Sequence, residues 1–280
     1  MRSALVTGSS TGIGRATALR LDRAGWRVFA GVRRETDAAS LRAQASERLT
    51  PVMLEITEPA AIGAAAELLA VELEGRGLDG LVNNAGIAVL GPLETIPIDD
   101  LRNQLEVNLV SQVSVTQALL PLIRRAQGRI VFVSSIGGRM ALPFGGPYHA
   151  SKYGVEAVAD CFRQELRPWR IEVAVIEPGS IDTPIWERGE RLADEVSERA
   201  PDTQEQLYGE TIERFRVAAK RTAERGVAPE KVARAIAAAL VSDRPRTRYL
   251  VGADARGQAL LRSLLPDRLM DRAVARVMRI

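Results

Sequence analysis

Lysine is nearly absent from this 280-residue chain: of its 38 basic residues only Lys152, Lys220 and Lys231 are lysines, and the rest are arginines. A lysine here therefore asks for a reason. Histidine and cysteine occur once each, as His149 and Cys161. One cysteine excludes an intramolecular disulfide and a cysteine zinc site. Lying in an apolar helical stretch, Cys161 is expected to be buried and inert. One histidine makes no ligand cluster, so no metal is expected and His149 is given a structural role. No uninterrupted apolar run approaches the roughly 18 residues of a spanning helix. The opening MRSALVTGSS meets a glycine turn too early for a signal peptide. Cytoplasm is the expected compartment. Internal repeats, low-complexity tracts and Pro/Gly/Ser linkers are also missing, so nothing divides the chain.

Hydrophobic residues make up 46% of the sequence, enough for one sizeable core. The pI of 9.3 would suit a nucleic-acid binder. However, 38 basic residues are interspersed with 35 acidic ones, and the net charge is only +3. No nucleic-acid partner is expected.

Short β-type runs fall at 3–7, 27–32, 52–56, 78–82, 129–134, 170–176 and 248–252. Helical spacing fills 14–24, 62–73, 98–125 and 148–166. Alternation at this interval implies an α/β fold, a doubly wound parallel sheet in a single Rossmann-type domain over 1–254. Residues 183–226 are helical and highly charged, and they interrupt the rhythm after a strand. Ligands bind beyond the carboxyl ends of such strands, so this insertion is expected to be a substrate lid. Residues 255–280 form an amphipathic extension. From Arg246 to Ile280 there are eight arginines against three aspartates. Such an end can close a site or seal a subunit contact, readings preferred here to contact with a membrane surface.

Between the first strand and first helix lies Thr7-Gly8-Ser9-Ser10-Thr11-Gly12-Ile13-Gly14. Glycines there let the backbone turn sharply and approach a pyrophosphate seated on the helix N-terminus. At the end of the second strand, where a carboxylate would grip the ribose of NAD, stand Val32, Arg33 and Arg34. A guanidinium pairs with a 2′-phosphate that a carboxylate would repel. NADP(H) is favoured, and Glu35 leaves NAD(H) open.

Tyr148-His149-Ala150-Ser151-Lys152 opens a helix, which sets the tyrosine and lysine on one face. Free tyrosine, with a pKa of about 10, is a poor base at neutral pH. A neighbouring ammonium favours the phenolate and brings it toward working range. Chance would place a Tyr-x-x-x-Lys somewhere in such a chain about 4% of the time, so the pair alone is only moderately informative.

TGSSTGIG, NNAG at 83–86, Asn108 in EVNLV, Ser134-Ser135, YHASK and PGSIDT at 178–183 occur in that order, and over residues 3–183 the chain resembles the short-chain dehydrogenase/reductase family. VFAGVRRETDAASL with ERLTPVMLEIT resembles the branch of retinol, hydroxysteroid and hydroxybutyrate dehydrogenases. The resemblance implies an oxidoreductase that interconverts an alcohol and a carbonyl by hydride transfer. Tyr148 would exchange the proton, Ser135 would bind the reacting oxygen, Lys152 would hold the nicotinamide ribose and lower the tyrosine pKa, and Asn108 would hold a water leading to Lys152. Gly8, Ser10, Thr11, Gly12, Ile13, Gly14 and Arg33 would meet the cofactor phosphates. Glu55, Ile56, Asn84, Ala85 and Gly86 would line the adenosine side, and Pro178, Gly179, Ile181 and Thr183 the nicotinamide. Glu55 departs from the aspartate usual in relatives. The resemblance also implies a homodimer or homotetramer through helices 98–125 and 148–166. Met140, Leu142, Phe144, Ile185 and Trp186 suggest an apolar pocket for a steroid, retinoid or long-chain substrate, or else packing of the lid. A 3-oxoacyl thioester reductase and a nucleotide-bound scaffold without turnover are the alternatives.

Overall fold

Side chains alternate across a strand, so a strand that is apolar at every position must be covered on both faces. In β1 (Ser3–Val6) all four residues are buried, Ala4 and Val6 facing one layer and Leu5 the other. The chain continues through α1 (Gly12–Arg23), β2 (Arg27–Val32), α2 (Glu35–Arg42), β3 (Leu49–Met53), α3 (Pro59–Glu72) and β4 (Gly80–Asn83). Next come α4 (Ile98–Leu105), α5 (Ser111–Ala126), β5 (Arg129–Val133), α6 (Gly146–Glu165) and β6 (Glu172–Pro178). The last stretch holds α7 (Ile185–Glu198), α8 (Thr203–Glu224), α9 (Pro229–Val241), β7 (Arg248–Val251), α10 (Ala253–Leu264) and α11 (Asp267–Met278). This computed structural model describes residues 1–201 and 203–278. Asp202 of the 183–226 insertion and Arg279-Ile280 of the basic end lie outside them.

Among the described residues seven strands pair in parallel, in the order β3-β2-β1-β4-β5-β6-β7. Helices α1, α2 and α9 cover one face through Leu21, Leu41 and Ile236. Helices α3, α5 and α6 cover the other through Leu69, Ile123 and Val155. Phe29 and Phe132 are fully buried in that second layer. Burying each such side chain contributes about 2 kcal/mol. The strand order reverses between β1 and β4, which opens a crevice at their carboxyl ends. The glycine turn, NNAG, Ser134-Ser135 and PGSIDT lie at the carboxyl ends of β1, β4, β5 and β6.

Three expectations are corrected. The third strand occupies Leu49–Met53, not 52–56. It is an edge strand, where Pro51 can forgo its missing donor, and Leu54 and Ile56 are buried just past its end. The long helix is broken by a π turn at Glu106–Val110, with Asn108 at its centre. Cys161 is exposed, because α6 buries Ser151, Lys152, Val155, Glu156 and Ala159, and Cys161 falls on another face.

Candidate active site

The phosphate turn is built by conformations that only glycine adopts freely. Gly8 and Gly12 have φ of +64° and +54°. A Cβ on Gly14 would lie 2.2 Å from the Gly8 carbonyl oxygen. Ser9 closes the turn, donating from its hydroxyl to Val6 O at 2.8 Å and from its amide to Gly31 O at 2.8 Å. Thr11 stands at the N-cap of α1 without a side-chain cap bond, and no acidic residue occupies the first helical turn. The amides of that turn are thus left for an anion, and the cradle fits a dinucleotide pyrophosphate. Ser10 and Ile13 are partly exposed on the same turn.

At the adenosine end Arg33 is 65% exposed along its side chain and pairs loosely with Glu55, Nη1 to Oε2 at 3.4 Å. Arg34 is held more firmly, donating to both oxygens of Asp37 at 2.9 and 3.0 Å. That hydrogen bond holds the Asp37 carboxyl below its usual range, aided by the charges of Arg188 and Arg15. Sequence reasoning missed Arg15, which reaches Ser10 O and Ser40 Oγ at the same corner. Ile56 is buried in the core, so only its backbone is available to a ligand. Thr7, also unflagged, accepts at its hydroxyl from the amides of Asn84 and Ala85. Asn84 donates back to the carbonyls of Thr7 and Gly8, and this fixes Ala85 and Gly86 beside the turn.

Ser135 follows β5, and its Oγ accepts from Gly137 N at 3.0 Å. Interaction with the Ser135 hydroxyl pulls the Tyr148 phenol down, against the effect of its burial. Ser134 points the other way, its hydroxyl buried without a partner among the described residues. Gly137 permits the approach, because a Cβ there would lie 2.9 Å from His149 Nδ1 and 3.2 Å from Tyr148 Cε1. His149 Nδ1 is 2.9 Å from Gly137 O. Burial holds His149 below its usual pKa, so the neutral ring donates Nδ1–H to that carbonyl. Lys152 Nζ donates to Val133 O at 2.9 Å and sits 5.8 Å from the centroid of the Tyr148 ring.

The expected electrostatics differ in one respect. Burial pushes the Tyr148 phenol up, and the interaction that opposes it is the Ser135 hydrogen bond, not the lysine charge. The ammonium itself is buried, and desolvation lowers Lys152 to about 8 against the pull of Glu156. Asn108 is likewise committed to protein. Its Nδ2 donates to Ile87 O and Ser151 Oγ at 3.0 and 3.1 Å, and its Oδ1 accepts from Ile87 N at 2.8 Å. The side chain clamps the NNAG loop to α6 instead of offering its amide hydrogens to water.

A family model described as short chain dehydrogenase matches residues 2–192. The chain belongs to the short-chain dehydrogenase family. It is an NAD(P)-dependent oxidoreductase. Rat retinol dehydrogenase 7 is 40% identical over 278 residues, covering 96% of this chain and 86% of that one, which sets the chain on the retinol and hydroxysteroid branch. The NADPH-dependent 3-dehydrocapnine reductase of Ornithobacterium rhinotracheale is 35% identical, covering 97% and 95%. A short-chain dehydrogenase from Burkholderia cenocepacia in complex with NADP superposes with a TM-score of 0.73, at 26% identity and 98% coverage of both chains.

In this dehydrogenase the loop after β6 is pinned from below. Gly179 N donates to Val251 O and Ser180 N to Asp254 Oδ2, a carboxylate that sequence reasoning did not flag. Ile181 is buried in the core, so it and Pro178 face the crevice through backbone, while Thr183 Cγ2 closes against Gly12. Trp186 donates its indole N–H to Ile181 O at 2.9 Å. Above, Phe144 contacts the rings of Tyr208 and Phe215 on α8, and Tyr208 donates to Glu94 of the NNAG loop. Phe144 therefore serves packing between loop and helix, as Trp186 does between helix and β6. Met140 is buried, Leu142 and Ile185 are partly exposed, and the Leu93 side chain packs against Gly146. A cavity of about 540 Å³ lined by Arg20, Trp26 and Arg234 opens between α1 and α9 near the amino end of β2, away from this site.

Proposed function

We propose that this enzyme reduces an apolar carbonyl compound, of steroid, retinoid or long-chain type, to the alcohol, using NADP(H) in preference to NAD(H). The observation that carries the proposal is the convergence of the Tyr148 phenol, the Ser135 hydroxyl and the Lys152 ammonium at the carboxyl end of β5. When bound, the nicotinamide supplies the hydride. Tyr148 donates the proton to the substrate oxygen, and Ser135 hydrogen-bonds the same oxygen. Burial keeps the phenol protonated at neutral pH, which suits an acid better than a base. Lys152 remains charged and holds the nicotinamide ribose. Asn108 is a positioning residue that clamps the NNAG loop.

The NADP(H) preference draws on the exposed Arg33 and on the relative named as NADPH-dependent. The apolar substrate draws on Leu93, Leu142 and Ile185 and on the relative named a retinol dehydrogenase. Helices α7 and α8 act as the lid over this pocket. The same reading makes the enzyme a cytoplasmic homodimer or homotetramer, which a solution mass measurement and cell fractionation test.

The deciding experiment is turnover with NADPH against a retinoid aldehyde, a ketosteroid and a 3-oxoacyl thioester, with Tyr148→Phe as control. Reduction of the first two, lowered about 10³-fold in the variant, is expected for a lost general acid. Preference for the thioester would replace the substrate class. Tight NADPH binding without turnover of any carbonyl would make the chain a nucleotide-bound scaffold.

A further inference from the structure

Beneath the Tyr148–Lys152 pair lies a set of buried charges that the proposed chemistry leaves unused. Helix α6 carries Tyr148, Lys152, Glu156 and Asp160 at successive fourth positions, so these side chains descend one face. Glu156 is buried, as is Lys152 above it. Arg248, at the start of β7, reaches both acids. Its Nε donates to Glu156 Oε2 at 3.0 Å and its Nη2 to Asp160 Oδ2 at 2.8 Å. Glu177 of β6, fully buried, accepts from Nε and Nη2 of Arg139, and its Oε1 lies 3.7 Å from Arg248 Nε. Arg139 leaves the short 3₁₀ turn Ile136–Gly138 that follows Ser135, so the network is tied to the catalytic loop.

Glu156 is the member left incomplete. Among the described residues its Oε1 is buried without a hydrogen-bond partner, and so is Ser134 Oγ. A Cβ on Gly138 would fall 2.8 Å from Ser134 Oγ and 3.1 Å from Glu156 Cγ, so both flank the same glycine. A half-satisfied carboxylate in a low-dielectric interior is costly unless cations answer it. Arg248 answers one oxygen. The other cation on this helix face is Lys152, and its hydrogen bond to the Val133 carbonyl neutralises no charge.

We propose that Glu156 is a positioning residue, the counter-charge that keeps the Lys152 ammonium protonated through turnover, held in place by Arg248 and the Glu177–Arg139 pair. The inference rests on Lys152 working as an ammonium, as proposed above. Burial lowers Lys152, and Glu156 is the group that pulls it back. The titratable or charged groups of this network and its helix end are Tyr148, His149, Glu156 and Asp160 of α6, Glu177 of β6, Arg139 after the 3₁₀ turn and Arg248 of β7. Gln104 of α4 and Asn108 of the π turn are uncharged, and β5 presents the Val133 carbonyl.

The poverty in lysine makes the test direct. Full-length protein labelled at lysine Cε gives three resonances, and Lys152→Arg identifies the relevant one. In Glu156→Gln, which keeps shape and removes charge, the Lys152 midpoint is expected to fall by about one pH unit, while Lys220 and Lys231 stay put. Glu156→Asp should retain most of the wild-type value. An unchanged Lys152 midpoint in folded Glu156→Gln overturns the proposal. If that variant does not fold, an unchanged Lys152 midpoint in Glu156→Ala does so. The titration needs neither cofactor nor substrate, so its failure is distinct from failure of the turnover and Tyr148→Phe assays.

Discussion

The Lys152 ammonium donates to the Val133 carbonyl at 2.9 Å, which anchors it to the last residue of β5. Burial opposes its charge and lowers it to about 8. Tyr148 is pushed up by burial and adds no limb in the neutral range. The rate of carbonyl reduction, as kcat/KM, is therefore expected to be flat near neutrality and to fall above about pH 8. Stability should move in the opposite direction. The folded pKa of Lys152 lies below its unfolded value of 10.5, so between about 8 and 10.5 the unfolded chain binds more protons. The contribution of this group to stability then rises with pH across that window. Its burial penalty is present in full below pH 8. Thermal melts at pH 7.5 and 9.5 on wild type and Lys152→Met check the sign: the lysine-dependent part should rise while activity falls. A shared decline would assign the activity loss to unfolding.

Arg33 is the test of cofactor preference. Its guanidinium is largely exposed and touches Glu55 only at 3.4 Å, whereas Arg34 is engaged twice by Asp37. A surface pair of that kind contributes little, so Arg33 can turn to a phosphate at small loss. Arg33→Ala is expected to weaken NADPH binding about 10-fold or more, the size of one charge-assisted hydrogen bond, and to leave NADH unchanged. Fluorescence titration with both nucleotides measures this. Equal loss for both would move the 2′-phosphate contact to Arg15 or Arg34.

The strands were legible because a parallel sheet covered on both faces writes itself as apolar runs, as at 129–133 and 172–176. The Tyr148–Lys152 pair was legible from helical spacing, and the turn from its glycines. Other features were hidden for physical reasons. Helix α9 packs Val232, Ala233, Ile236, Ala239 and Leu240 inward. Its many alanines blur the boundary between inner and outer face. The π turn at Asn108 has no local sequence mark, since it is set by the amide's bonds to Ile87 and Ser151, each far along the chain. The upward push on the Tyr148 phenol was hidden because it comes from burial, which the whole fold sets and local spacing does not. Glu156 and Arg248 meet only once β7 closes against β6, and no window of sequence holds both.

Gly14 tests the phosphate turn by volume. A Cβ there would meet Gly8 O at 2.2 Å and Asn84 Nδ2 at 2.5 Å, so helix and turn must part to admit it. Gly14→Ala is expected to destabilise by about 1–3 kcal/mol and to abolish measurable NADPH binding. Gly63 in α3 is the control, with open space at its Cβ position. Gly63→Ala should stabilise by about 0.5–1 kcal/mol and leave binding unchanged. Chemical denaturation and nucleotide titration of both variants give the comparison. Retained binding in Gly14→Ala would mean the pyrophosphate does not approach this backbone.

Phe144 joins the loop before α6 to helix α8. Its ring lies 5.6 Å from Phe215 and 6.3 Å from Tyr208, both edge-on, and its carbonyl accepts from Gly91 N at 2.8 Å. Each aromatic pair contributes about 0.5–1.5 kcal/mol beyond its buried area. Its backbone is in the left-handed region, φ +64°, which a side chain normally avoids. Two substitutions separate ring from backbone. Phe144→Ala and Phe144→Gly both remove the contacts with α8, the proposed lid, and should raise the substrate KM about 10-fold, with NADPH affinity unchanged. Glycine also relieves the strained φ, so Phe144→Gly should melt higher than Phe144→Ala by the equivalent of about 1 kcal/mol. An unchanged KM in both would show that α8 covers the loop without controlling access to Tyr148.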